Sequence, residues 1–161
     1  MRTFCVALTL FATTLFVADP INLLKPTNKA DSWRLEKAGE TKSEMKIEED
    51  DVVFQTTAVD STDWHVQAVQ TNLDLKDGKN YVIKFKAKSP DQILITVNAM
   101  IDQDDWHQIG LNEEVQLKKE YTEFSFEFTA NDTVPMKNRI SFVLGNSKGT
   151  VSIKNLILNA K

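Results

Sequence analysis

A chain of 161 residues with 42% hydrophobic and 26% charged residues is long enough to bury one core and too apolar to stay disordered, so a single folded domain is expected. Its formal net charge of -4, with lysines scattered among carboxylates, excludes the basic stripe that nucleic-acid binding requires. The single cysteine, Cys5, permits no disulfide framework, and a domain held by its core alone suits a bacterial exported protein better than a small disulfide-stapled module.

Arg2 is followed by an uncharged apolar run at 4–18, FCVALTLFATTLFVA. A bilayer-spanning helix needs about 20 apolar residues; this run is shorter and ends on Asp19 and Pro20. It is read as a signal peptide, residues 1–18, cleaved after Ala18 and carrying Cys5 away with it. The mature domain is then 19–161, secreted or periplasmic, with no membrane association once the signal is removed and no expected partner copy.

Beyond a short polar entry the chain alternates apolar and polar residues over brief runs, and no stretch keeps a helical period for three turns. In YVIKFKAK, Tyr81, Ile83, Phe85 and Ala87 share one face and Lys84, Lys86 and Lys88 the other. ILITVNAMI sets Ile93, Ile95, Val97, Ala99 and Ile101 on one side. TEFSFEFT turns Phe124, Phe126 and Phe128 inward. Further strands are expected at 33–37, 44–47, 52–57, 64–70, 106–109, 139–144 and 150–158. Turn signals such as LKDGKN, KSPDQ and GNSKGT separate them. About ten short strands with frequent turns predict an all-β, antiparallel β-sandwich of the jelly-roll kind. Within the last strand the phase breaks between Ile153 and Leu156, and a β-bulge near Lys154 and Asn155 would return both halves to the core.

One local pattern repeats. STDWHVQ at 61–67 and QDDWHQI at 103–109 both carry Asp-Trp-His followed by glutamine. Pyranose rings offer flat C–H faces to indoles and hydroxyls to amides, carboxylates and imidazoles, so exposed Trp64 and Trp106 would suit a sugar, with Gln67, Gln108, Asn98, His65 and His107 as candidates for hydroxyl contacts. The competing reading is that each tryptophan plugs one end of the sandwich. Trp33 reads as a core residue. Neither histidine has a further histidine or cysteine at ligand spacing, so no metal is expected. The carboxylates Asp102, Asp104, Asp105, Glu113 and Glu114 would support glycoside cleavage only if two of them faced each other across a cleft. No G-x-S-x-G elbow, phosphate loop or Cys-His arrangement is present, and no catalytic residue is assigned.

The order of NLL (22–24), Trp33, DWHVQ, LDLKDGKNYVIKFKAKS, Trp106, Val115 and Leu117, YTEFSFEF, ISFVLG and VSIKNLIL resembles the CenC-type carbohydrate-binding modules of families 4 and 9. The resemblance implies a galactose-binding-like jelly roll with an aromatic- and amide-lined groove that takes up a polysaccharide or oligosaccharide such as β-glucan or xylan. It puts Trp64 and Trp106 at groove positions, with Gln67 beside the first. Val143 stands where the family often has an amide. Lys154 stands where it often has a calcium-binding Asp, so neither calcium nor another cofactor is expected. The alternative function is a structural or protein-interaction ectodomain that kept this fold without a ligand.

Overall fold

The computed structural model describes residues 21–161; the expected signal peptide at 1–18, and Cys5 within it, lie outside the described residues. Ten strands alternate along the chain: β1 (Arg34–Lys37), β2 (Lys42–Glu48), β3 (Asp51–Ala58), β4 (Val66–Leu73), β5 (Asn80–Lys88), β6 (Leu94–Ile101), β7 (Gln108–Gln116), β8 (Thr122–Thr129), β9 (Asn138–Val143) and β10 (Gly149–Ala160). They form two five-stranded sheets of order β1-β4-β9-β6-β7 and β2-β3-β10-β5-β8, and every strand pair is antiparallel. The all-β sandwich expected from the alternation is the fold observed.

The same parity that defines the strands fills the core. Tyr81, Ile83, Phe85 and Ala87 of β5 meet Ile95, Val97, Ala99 and Ile101 of β6 and Ile140 and Phe142 of β9 in one buried cluster. Trp33 closes this cluster at 7% exposure. Its ring lies edge-on to Phe54 at 5.5 Å and tilted against Phe142 at 5.9 Å, and its Nε1 donates to the Thr27 carbonyl at 2.8 Å. A buried indole needs such an acceptor. The bulge also forms: the β5–β10 register passes from Lys86↔Lys154 to Lys84↔Ile157, and Asn155 takes up the extra residue at φ 52°. Val151 and Ile153 before it, and Leu156 and Leu158 after it, all reach the core.

Two boundaries differ from expectation. The strand expected to start at Trp64 begins at Val66, because Asp63–His65 forms a 3-10 turn closed by the His65 N–H on Thr62 O. The strand expected over 106–109 starts at Gln108 and runs on to Gln116. The run Asn112-Glu113-Glu114 hides it in the sequence. β7 is an edge strand, where an inward-parity Glu113 stays exposed and interrupts the apolar alternation.

Candidate functional site

The face of the β1-β4-β9-β6-β7 sheet that points away from the core holds a groove of about 720 Å³. Its floor follows directly from strand register. One row across the sheet is Glu36, Gln67, Val143, Thr96 and Glu114. The next is Arg34, Val69, Ser141, Asn98 and Asn112, and a shorter third is Arg139, Met100 and Gln108. Residues paired directly across strands face the same way, and because side chains two apart along a strand share a face, the rows lie on one side of the sheet.

The two repeated segments bring their tryptophans over this floor. Trp64 is 56% exposed and Trp106 45%, and both line the groove. The reading in which they plug the sandwich therefore fails: Trp33 is the core indole and these two are open.

Trp64 is held from behind. The His65 ring stands edge-on to it at 4.4 Å, and His65 Nδ1 pairs with Asp60 at 2.7 Å. That hydrogen bond is the main cause holding the Asp60 carboxyl below its ordinary value. The turn is further fixed by Gly145, whose N–H donates to Asp63 O at 3.1 Å. A Cβ at Gly145 would stand 2.1 Å from that same oxygen. Gly145→Ala is thus expected to push the Asp63–His65 turn outward and to weaken ligand binding far more than it lowers the melting temperature; titration calorimetry beside differential scanning calorimetry would check this.

Trp106 sits in the β6–β7 loop at φ 50°, a left-handed conformation that is costly for an aromatic residue and persists only where the surroundings enforce it. His107 supplies part of that enforcement. Its Nδ1 lies 2.6 Å from Asp105 Oδ2 and its Nε2 2.8 Å from Asp132 O. Both partners are acceptors, so both bonds exist only with the ring doubly protonated. The Asp132 carbonyl first, and then Asp105, raise the His107 pKa above its ordinary 6.5. A raised folded pKa gives stabilisation that is complete below the ordinary value and lost as pH rises through the folded one. Loop order around Trp106 is expected to decline as His107 deprotonates, and NMR titration of the His107 ring and the Trp106 indole together would show coincident midpoints.

Of the other predicted residues, Gln67, Asn98 and Gln108 line the groove, whereas His65 and His107 do not. The histidines support the segments that carry the indoles and present no ring to the floor. Gln67 is 7% exposed and already engaged: its Nε2 donates to Trp64 O at 3.0 Å and its Oε1 accepts from Arg139 Nη2 at 3.2 Å. The floor nevertheless keeps free valences. Among the described residues, Asn98 Oδ1, Ser141 Oγ and Arg139 Nε are buried without a hydrogen-bond partner, a costly state unless a ligand or water completes it.

Sequence reading did not single out Glu36, Thr96, Met100, Asn112 or Arg139, and it named Glu114 only among the carboxylates that cleavage would need; all six line the groove. Arg139 is the most telling of them. It is only 2% exposed, and it lies within an ionic cluster with Glu36 (3.0 Å), Asp102 (3.5 Å) and, through those carboxylates, Arg34.

Glu36 and Glu114 end the first row on opposite edge strands, four strand spacings or roughly 19 Å apart, against the 5 to 9.5 Å that glycoside cleavage requires of its two carboxyls. Asp102 is committed to the two arginines and Asp105 to His107. Glu36 and Glu114, and Asp102 and Asp105 with their partners, do not form a hydrolytic pair.

Among the described residues, no group of three His, Cys, Asp or Glu side chains could hold a metal ion. At the position where the resemblance would put a calcium ligand, Lys154 Nζ lies 3.8 Å from Asp51 and 4.0 Å above the Tyr121 ring. An ammonium thus stands at that position in place of a carboxylate ligand.

The family model described as "Carbohydrate binding domain" (CBM_4_9) matches residues 27–149. The chain belongs to that family. As a family-4/9 carbohydrate-binding domain it carries the fold of solved relatives. A structure named "CBM4 structure and function" aligns at TM-score 0.74 and 24% identity, covering 89% of this chain and 96% of that one. The second N-terminal cellulose-binding domain of Cellulomonas fimi β-1,4-glucanase C aligns at 0.70 and 16%, covering 90% and 97%. The N-terminal cellulose-binding domain of the same enzyme aligns at 0.69 and 16%, covering 89% and 98%. No curated protein matches the chain.

Proposed function

We propose that this domain binds a β-linked polysaccharide of the β-glucan or xylan type, without cleaving it, as an exported monomer. The observation that carries the reading is the pair of exposed indoles, Trp64 and Trp106, over a polar floor that includes Asn98, whose Oδ1 has no hydrogen-bond partner. Indole faces take up the flat C–H surfaces of successive pyranose rings, and the floor takes up their hydroxyls. Val143 at the centre of the first row offers no hydrogen bond, so the ring lying over that point is held by stacking and shape.

The cellulose-binding domains of C. fimi glucanase C share the fold at low identity and support a β-glucan as the first ligand to try. Affinity is expected to be modest, with each stacked ring adding on the order of 1 kcal/mol beyond its area burial. Export rests on the apolar run at 4–18. No helix among the described residues is long and apolar enough to cross a membrane.

Affinity electrophoresis through gels containing β-glucan, xylan or mannan tests the binding reading. Retardation by β-glucan or xylan is expected, and unchanged migration in all three would refute it. Incubation with the retarding polysaccharide is expected to release no reducing sugar.

A further inference from the structure

We infer that Arg139 is the positioning residue for Trp106: its guanidinium is a buried shelf that covers one face of the indole and fixes the other toward the groove. The inference rests on the carbohydrate-binding reading for its functional consequence, but its structural part stands without a ligand.

Arg139 is the second residue of β9 and lies on the groove side of the sheet, and its guanidinium carbon lies 4.7 Å from the Trp106 ring centroid. The anchors of that guanidinium come from β1, from β4 and from the segment that follows β6. Nη1 donates to Glu36 Oε2 of β1 at 3.0 Å and reaches Asp102, just past β6, at 3.5 Å; Nη2 donates to Gln67 of β4 at 3.2 Å. Arg34 braces the same two carboxylates, at 2.5 Å to Glu36 and 2.6 Å to Asp102. Two cations and two anions thus interlock, which compensates the buried charge. The result is a flat, rigid cation under an aromatic ring, the arrangement in which guanidinium outperforms ammonium.

Trp106 needs this support because its backbone is in the left-handed region and the loop residues before it, Asp102 to Asp105, are all polar. At 2% exposure Arg139 has little surface left for a ligand, whereas Trp106 at 45% keeps about one face open. Through Gln67, whose amide also holds Trp64 O at 3.0 Å, the same guanidinium is connected to the backbone of the other platform. The two indoles are therefore referenced to one anchored group.

Arg139→Lys keeps the charge and removes the plane. Its affinity for the polysaccharide that retards the wild type is expected to fall about tenfold. In a Trp106→Ala background the same change is expected to alter affinity less than about twofold, because a residue acting through Trp106 has nothing left to position. A ligand-free arm separates this inference from the binding reading. With Trp64→Phe present, Trp106 is the exposed indole, and Arg139→Lys should raise its acrylamide quenching by up to about twofold as a second face opens. Glu36→Gln, which leaves the guanidinium in place on a weaker anchor, should shift quenching in the same direction by less. Unchanged quenching in both variants, or an equal affinity loss with and without Trp106, would overturn the inference. Failure of the wild type to bind any glycan would refute the binding reading and leave the quenching result to decide this one.

Discussion

Replacing Trp64 or Trp106 singly by alanine is expected to weaken polysaccharide binding at least tenfold, and replacing both to abolish it. Each indole is about half exposed and lines the groove, so a sugar ring laid on it desolvates a large rigid apolar surface at little conformational cost. Truncating a tryptophan in such a position commonly costs 2 kcal/mol or more, about thirtyfold in affinity. Two such losses in a domain of modest affinity exceed what hydroxyl contacts on the floor can supply. Neither ring belongs to the core cluster, so the melting temperature should change little in all three variants. Calorimetric titration with the retarding glycan, beside thermal denaturation, checks both halves. A double variant that binds as the wild type does would show that the ligand sits elsewhere.

Trp33→Ala is expected to do the opposite: destabilise the fold by about 3 to 5 kcal/mol, with binding affected only as folding is. The side chain is edge-on to Phe54 of the back sheet and tilted onto Phe142 of β9, so it joins the two sheets. Its loss leaves a cavity and also strands the Thr27 carbonyl that its Nε1 satisfies. Against a typical total stability of about 5 to 15 kcal/mol, this is a large fraction. Denaturant unfolding should show a lower midpoint with little change in slope. Trp33→Phe, which keeps a ring in contact with Phe142 and lacks the donor, should recover more than half of the loss.

The contrast among the three tryptophans shows how far residues alone lead. Strand alternation in YVIKFKAK and ILITVNAMI is strict, and the core faces it predicts are the buried ones. The bulge at Asn155 was legible for the same reason, since a phase slip in an otherwise regular strand has one simple remedy. Asn98 was legible as an amide suited to sugar hydroxyls, and the parity of β6 that sets it opposite the core face also points Thr96 and Met100 to the groove.

Arg139 escaped because all six residues of β9 are buried. The alternation of Arg139 and Ser141 with Ile140 and Phe142 marks a polar face, but a lone charged residue on such a face ordinarily reads as solvated, and its burial shows only when the neighbouring strands are in place. Its partners Glu36, Gln67 and Asp102 lie 103, 72 and 37 residues away. Pairing across such separations is set by sheet order, which local pattern does not encode. The histidines misled for a related reason. Their neighbourhood with tryptophan looked like a chemical motif, yet Asp60 and the Asp132 carbonyl, which claim their ring nitrogens, are visible only once the loops are folded together.

The groove of the β1-β4-β9-β6-β7 sheet, with its two open indoles, is the proposed seat of the glycan. Titrating isotopically labelled protein with a soluble β-glucan oligosaccharide and following amide and indole N–H shifts tests it most directly. Shifts are expected at the Trp64 and Trp106 indoles and at the side-chain amides of Gln67, Asn98 and Gln108, with the Trp33 indole unmoved. Shifts confined to the β2-β3-β10-β5-β8 face, with both groove indoles unchanged, would contradict it.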